Sequence, residues 1–291
     1  MPTKPVSGNE QAPMLSRFSQ KISNALIFLT LLVLSISNLY PFFYMFLNSV
    51  KSRTDYYINP FSMWGLKLTW ENYSTMVSQF KILNLFGNSF YISFFSIVLL
   101  LCFGIVASYA FAKLKFKGKN VIYLGVLSTM FIPVQATIIP LYVFFSRIHL
   151  VNTYWSVVFV YVGMFLPEVI LLMTSTFRGI PDDLIEVAKL DGAGFFDIVR
   201  YVIIPLGRSA IILCVIFYFI VTWNDLFTPM ILLQSMDRRT VMVALAALLG
   251  RYSGDPTFQF AGLVLASIPA ILVYAVFQQY IIKGLSAGST K

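Results

Sequence analysis

The stretch ILNLFGNSFYISFFSIVLLLCFGIVASYAFA, Ile82 to Ala112, carries no charged side chain. A helix rises about 1.5 Å per residue, so crossing a hydrocarbon layer of about 30 Å takes roughly 20 apolar residues. This run is long enough with residues to spare. Backbone N–H and C=O groups in lipid have no water to bond, so a spanning run with these side chains must be helical. One fold class follows, an all-α integral membrane protein.

Working outward, five more stretches read the same way. Ile22–Val50, Asn120–Ser146 and Pro256–Ile282 lack charge, Leu150–Phe177 contains only Glu168, and Ser209–Met236 contains only Asp225. Each exceeds what a helix needs, so six transmembrane helices are expected near 24–46, 89–111, 122–145, 155–176, 210–233 and 260–282. Composition agrees: 11% of the residues are charged, where a soluble domain carries about 25%. The net charge of +9 does not point to nucleic acid, because the basic residues sit in short loops between apolar runs. Cys102 and Cys214 lie within apolar runs and read as inert thiols that build no disulfide framework or metal set.

The first run follows Lys4, Arg17 and Lys21, as a secretion signal would. It is longer than a signal core of about 7–15 residues and has no small-residue cleavage site after it, so it reads as a retained helix. Lys113, Lys115, Lys117 and Lys119 crowd one short loop, whereas the next carries Arg147 alone. The excess of Lys and Arg on one side places both termini in the cytoplasm. The expected organisation is a cytoplasmic tail over 1–21, a transmembrane domain over 22–283 with a cytoplasmic loop at 178–208, and a tail over 284–291. Pro133, Pro140, Pro167, Pro229 and Pro269 fall within expected spans. They mark candidate kinks around a path, or the ordinary enrichment of proline in membrane helices.

The loop contains DDLIEVAKLDGAGFFDIVRYVIIP, Asp182 to Pro205. Asp182 or Asp183 is placed to cap a helix, with Glu186 reaching back as in a capping box. Leu184, Val187 and Ala188 share a face, and Gly192 is placed to close the helix in a left-handed conformation. Phe195, Phe196, Ile198, Val199 and Val202 stripe a second helix that Pro205 ends. Helices this short need something to dock on. Either the protein's own membrane-side surface or a separate cytoplasmic partner serves, and Ala188, Gly192, Ala193 and Gly194 favour the close approach of a partner.

Glu186-Val187-Ala188, Gly192 and Val202-Ile203-Ile204-Pro205 stand at the spacing of the EAA loop that bacterial ABC-importer permeases carry. Val187, Val202 and Ile204 are apolar replacements of that pattern. Met130–Val158, Thr222–Leu233, Phe277–Lys291 and Ser108–Asn120 also resemble the MalG-like permeases of carbohydrate ABC importers, and the likeness runs from about Asn38 to the C-terminus. The resemblance implies a type I ABC importer permease architecture. It further implies a second permease subunit, two ATP-binding cassette subunits and an extracytoplasmic solute-binding protein as partners. ATP and Mg would sit on the ATPases and no cofactor on this chain. The loop would then be a coupling helix, with Glu186, Ala188, Asp191 and Gly192 seated in an ATPase cleft.

Glu168 and Asp225 fall inside spans, where a charge costs roughly 2.5–3.5 kcal/mol, so each should face a partner or a wet cavity. Asp225 belongs to Trp223-Asn224-Asp225, a set whose ring, amide and carboxylate suit sugar hydroxyls. It serves equally well as an inter-helix bond. The resembling permeases usually have an apolar residue where Glu168 stands; a role toward substrate and a salt bridge to the partner permease are both open. Asn88 and Gln135 are further path candidates, or helix–helix hydrogen-bond donors. The sequence has no Gly-rich nucleotide loop, so a non-catalytic subunit of the bacterial inner membrane is expected. GLSAG, Gly284–Gly288, copies a nucleophile elbow in letters but follows a span rather than a strand, with no histidine after it. His149 reads as a loop residue. The outer loop Lys51–Lys81 reads as a contact for the binding protein or as a folded cap. A different class of reading is an ion-coupled secondary transporter with Glu168 and Asp225 as proton carriers.

Overall fold

The structure is a computed structural model that describes residues 12–62, 68–251 and 255–288, with side chains over 20–62, 68–248 and 255–279. The helices run in the order α1 (Ala12–Ser49), α2 (Arg53–Ile58), α3 (Glu71–Ser78), α4 (Ile82–Lys113), α5 (Lys119–Ser128), α6 (Val134–Arg147) and α7 (Tyr154–Arg178). They continue as α8 (Asp182–Leu190), α9 (Phe195–Ile198), α10 (Ile204–Leu206), α11 (Arg208–Asn224), α12 (Phe227–Leu232), α13 (Val241–Arg251) and α14 (Pro256–Gly288). No strand occurs among the described residues.

Four helices, α1 from Gln20, α4, α7 and α14 to Gln279, are long and apolar enough to cross a membrane. The count rises to six if each of two bent pairs is one span. The stretch expected to span at 122–145 is broken: α5 and its short extension to Phe131 meet α6 at 97°. Pro133 disfavours helical geometry at Ile132, which is extended, and then serves as the N-cap of α6. The span expected at 210–233 is also interrupted, because α11 ends at Asn224 and Asp225 is extended. Pro140, Pro167 and Pro269 lie inside continuous helices. The expected tail boundaries differ from the helix ends, since α1 starts at Ala12 and α14 runs to Gly288; residues 1–11 and 289–291 lie outside the described residues.

α4 and α7 form the centre and run parallel, with contacts climbing together from Asn88 and Tyr154 through Gly104 and Val169 to Lys113 and Arg178. Gly104 makes this possible, because a Cβ there would stand 2.4 Å from Val169 Cγ1. Small residues at such contacts let helix backbones approach in a bilayer. Ser108 Oγ donates to Ile170 O at 3.3 Å, and Tyr109, Tyr161, Val169 and Met173 are buried along the seam. α11 joins through Thr222, whose Oγ1 donates to Ser93 Oγ at 2.9 Å. α1 packs on α14, and its apolar residues from Ile22 to Phe46 stay largely exposed. A helix that is apolar on every side and exposed belongs in lipid or against another membrane helix.

At the end where α4 begins, α2 and α3 fold over the bundle as a cap. Asn72 Nδ2 donates to Ser49 O at 2.8 Å and Lys51 O at 3.0 Å, so this asparagine is a brace. Lys51 is fully buried and donates to Asn59 O and Pro60 O at 3.1 and 3.2 Å. Burial pushes its ammonium below the usual lysine range, with Asp55 opposing that shift. Met76 of α3 is buried with Ile82, Leu245 and Phe258.

Candidate functional site: a knob at one end and a cavity in the middle

The first part of the site is the α8–α10 loop. The expected capping box at Asp183 and Glu186 is not formed: Pro181 is the N-cap of α8, with no side-chain cap bond. A proline can start a helix because the missing N–H would have no partner there anyway. Asp182 turns instead to Lys113 at the end of α4, 2.7 Å away. Lys113 Nζ also donates to Ile180 O and, at 3.3 Å, to Arg178 O. One ammonium thus ties the end of α4, the end of α7 and the start of α8. By hydrogen bond first and charge second, it holds the Asp182 carboxyl below its ordinary range.

The far end of α8 matches the sequence expectation. Gly192 has φ +85°, Gly192 N donates to Lys189 O at 3.0 Å, and Ala193 N donates to Ala188 O at 2.9 Å. This pair of bonds is the Schellman arrangement, which satisfies carbonyls a helix end leaves open. The next helix starts at Gly194, whose N–H is accepted by Asp197 Oδ2 at 3.0 Å. α9 passes into a π turn, Val199–Ile203, then α10, and the chain bends 78° into α11. Pro205 has no N–H to give the regular ladder. Gly207 fits flat against Phe177, where a Cβ would fall 2.4 Å from its ring.

The expected apolar face of α8 divides in two. Ile185 is buried and Ala188 packs inward, while Leu184 and Val187 point out. Leu190 is 87% exposed and Phe196 75% exposed. Of the apolar stripe expected on the second helix, Ile198 and Val199 are buried and Phe195 and Val202 pack against the core, while Phe196 faces away. Glu186, Asp191 and Gly192 are exposed on the same knob.

The second part lies at mid-bundle. Glu168 follows Pro167 near the middle of α7, and its Oε2 accepts from Tyr218 OH of α11 at 3.1 Å. It borders a cavity of about 440 Å³ between the α5–α6 break and α7, together with Thr129, Pro133, Gln135 and Met164. A neighbouring cavity of about 260 Å³ is lined by Val134, Gln135, Met164, Asn224 and Asp225. Asp225 Oδ2 accepts from Tyr161 OH at 2.9 Å and Oδ1 from Phe227 N at 2.9 Å. The carboxylate therefore satisfies backbone donors that the break between α11 and α12 frees, which weakens the proton-carrier reading. Asn224 Nδ2 donates to Ile220 O within its own helix, and Gln135 is exposed.

Two path candidates are placed elsewhere. Trp223 is a core residue: it is 2% exposed, its Nε1 donates to Ala266 O at 3.0 Å, and it stacks on Phe219. Asn88 is a brace at the cap end, donating to Asp237 O and Arg239 O at 2.8 and 2.9 Å and accepting from Tyr154 OH at 2.7 Å. Sequence reasoning counted Lys113 only as a topology charge and missed Tyr218 and Tyr161. Their partners lie 69, 50 and 64 residues away, beyond any local pattern.

Residues 101–287 match the model of the binding-protein-dependent transport system inner membrane component family. The chain belongs to that family. The matched stretch includes the knob and both cavities. The permease is 31% identical over 253 residues to a putative ABC transporter permease protein of Caldicellulosiruptor sp. (strain Rt8B.4), covering 86% of this chain and 91% of the relative. It is 30% identical over 285 residues to the arabinooligosaccharides transport system permease protein AraQ of Bacillus subtilis (strain 168), covering 94% and 99%. In fold it matches a chain of a bacterial ABC transporter involved in the import of the acidic polysaccharide alginate, with TM-score 0.79 at 23% identity over 95% of this chain and 99% of the other. The permease is thus a multi-pass protein of an inner-membrane import system.

Proposed function

We propose that this permease moves an oligosaccharide or sugar across the cytoplasmic membrane as one half of a translocation pore. It pairs with a second permease, receives solute from an external binding protein, and is driven by two ATPase subunits that hold ATP and Mg. Both bent pairs count as spans in this reading, giving six, with both termini and the α8–α10 knob in the cytoplasm.

The observation that carries the proposal is the knob itself. Leu184, Val187, Leu190 and Phe196 are exposed on a segment whose two ends are fixed, by Lys113 at the start and by Gly192 at the finish. Apolar side chains held out on a braced helix suit a groove in another protein. Moving a two-state transporter from 1:99 to 99:1 takes about 5.5 kcal/mol of differential binding, which needs a stiff joint. Glu186, Ala188, Asp191 and Gly192 would form that joint. Glu168, Gln135, Asn224 and Asp225 would face the solute path. The oligosaccharide named for the relative from Bacillus subtilis supports the carbohydrate part.

The test is purification through a tag on this chain, followed by reconstitution. An ATPase and a second permease should co-purify, and uptake of a labelled arabino-oligosaccharide mixture should require ATP on the knob side. Gly192→Trp should leave the complex assembled and ATP hydrolysis running while uptake is lost. Uptake by this chain alone, without nucleotide, would overturn the reading.

A further inference from the structure

This inference rests on the carbohydrate reading and sharpens it. Three features meet at the cavity between α6 and α7. Glu168 puts a carboxylate on its wall, engaged at Oε2 by the Tyr218 hydroxyl. No basic side chain pairs with it; among the described residues the ion pair is Lys113–Asp182, at the knob. The cavity is also bordered by the α5–α6 break, where Ile132 and Pro133 are extended and Thr129 and Gln135 are exposed. Irregular backbone at membrane depth is tolerated where it is buried in protein or borders water, and a carboxylate facing hydrocarbon is disfavoured. The apolar surface between them comes from Met164, Phe159 and Phe145. The adjoining cavity shares Val134, Gln135 and Met164, so Asp225 adds a second carboxylate to one continuous stretch.

We propose that this stretch is a water-filled part of the solute path and that Glu168 is its charge filter. The carboxylate accepts sugar hydroxyls, the Gln135 amide gives and accepts others, and the apolar wall meets the C–H face of a ring. Neutral or cationic sugars pass, whereas sugars bearing carboxylates are repelled. Glu168 is therefore a specificity residue, and the substrate class it selects carries no negative charge.

Gly163 supplies a reporter, because it lines the same cavity and a Cβ added there meets nothing within 4 Å. Cys102 and Cys214 are replaced by Ser and Ala, Gly163→Cys is introduced, and the assembled transporter is labelled. A cationic trimethylammonium and an anionic sulfonate methanethiosulfonate of matched size are used. Their rates are divided by those for a free thiol in solution. The cationic reagent should react about fivefold faster, the scale of one charge acting across a partly hydrated gap. Glu168→Gln should lower the ratio to what Asp225 alone leaves, and Glu168→Asp should keep it. Any effect of Glu168 on thiol reactivity acts on both reagents and cancels in the ratio. Gln135→Cys is the second reporter if the glycine variant does not assemble. Failure of both reagents at both positions would show a dry cavity and overturn the proposal, as would a ratio that Glu168→Gln leaves unchanged. The labelling reads the cavity whatever solute is carried, so a failed sugar-uptake assay would sink the carbohydrate reading separately.

Discussion

The two ends of the bundle are held to it in different ways. The α2–α3 cap turns Met76 fully inward and buries even the Lys51 ammonium under its own carbonyls. The α8–α9 knob turns Leu184, Val187, Leu190 and Phe196 outward while holding its backbone with a lysine whose side chain is largely covered and with a left-handed glycine. Both segments are short helices that are unstable alone. The cap is stabilised by Met76 packing inward and by the bonds of Lys51 and Asn72, while Ile58, Trp70 and Val77 stay exposed on its outer side. The knob is braced at its two ends, by Lys113 and by Gly192, whereas the cap is anchored through buried side chains along its length.

Removing one apolar side chain at each end should break the comparison most sharply. Met76→Ala empties a site packed against α14 and should cost about 2–5 kcal/mol of cap stability, read by thermal unfolding in detergent. ATPase binding should stay unchanged. Lys113→Met should come next, because it leaves the carbonyl of buried Ile180 without its donor, at about 1–3 kcal/mol for an orphaned buried group. Hydrogen exchange should speed up in α8 and not in the cap. Equal exchange at both ends would refute the brace.

Leu190→Ala should change stability by less than about 0.5 kcal/mol, as exposed substitutions do. It should weaken ATPase capture by about tenfold if Leu190 is an anchor, measured by titrating the ATPase onto the reconstituted permease. A change in unfolding with normal capture would reverse the roles given to the two ends. The smallest effect is on pH. Asp182 is depressed in the folded state, so its tie to Lys113 is present at neutral pH and is lost as pH falls below the ordinary value of 3.8. Lys51 is depressed too, so the folded cap sheds that proton first and gains stability as pH rises toward the ordinary 10.5. Exchange rates at α8 and α2 followed across pH should therefore respond at opposite ends of the scale.

Much of this was legible in residue order. The uncharged runs marked the membrane helices, the acid-rich start and Gly192 marked α8, and the spacing from Glu186 to Pro205 marked the family. Asp225 in place of a regular turn before Pro229 was a readable break signal, since Pro229 cannot donate to the Asp225 carbonyl. What misled was treating all prolines alike. Pro133 interrupts its segment while Pro140, Pro167 and Pro269 ride within helices. The apolar face of α8 was misdivided for a related reason: periodicity says which residues share a side, not which side meets the core.

The sequence by itself determined that the chain is helical, that it lies in a membrane and that a small-residue loop leaves it, because hydrocarbon imposes those answers on any long uncharged run. Only the tertiary structure decided that Trp223 is core, that Asn88 is a brace, and that Lys113 joins three helix ends. It also brought Glu168 to Tyr218 beside the α5–α6 break. Those facts depend on which helices meet, and a side chain has no way to signal a partner 50 or more residues distant except by finding it in the folded bundle.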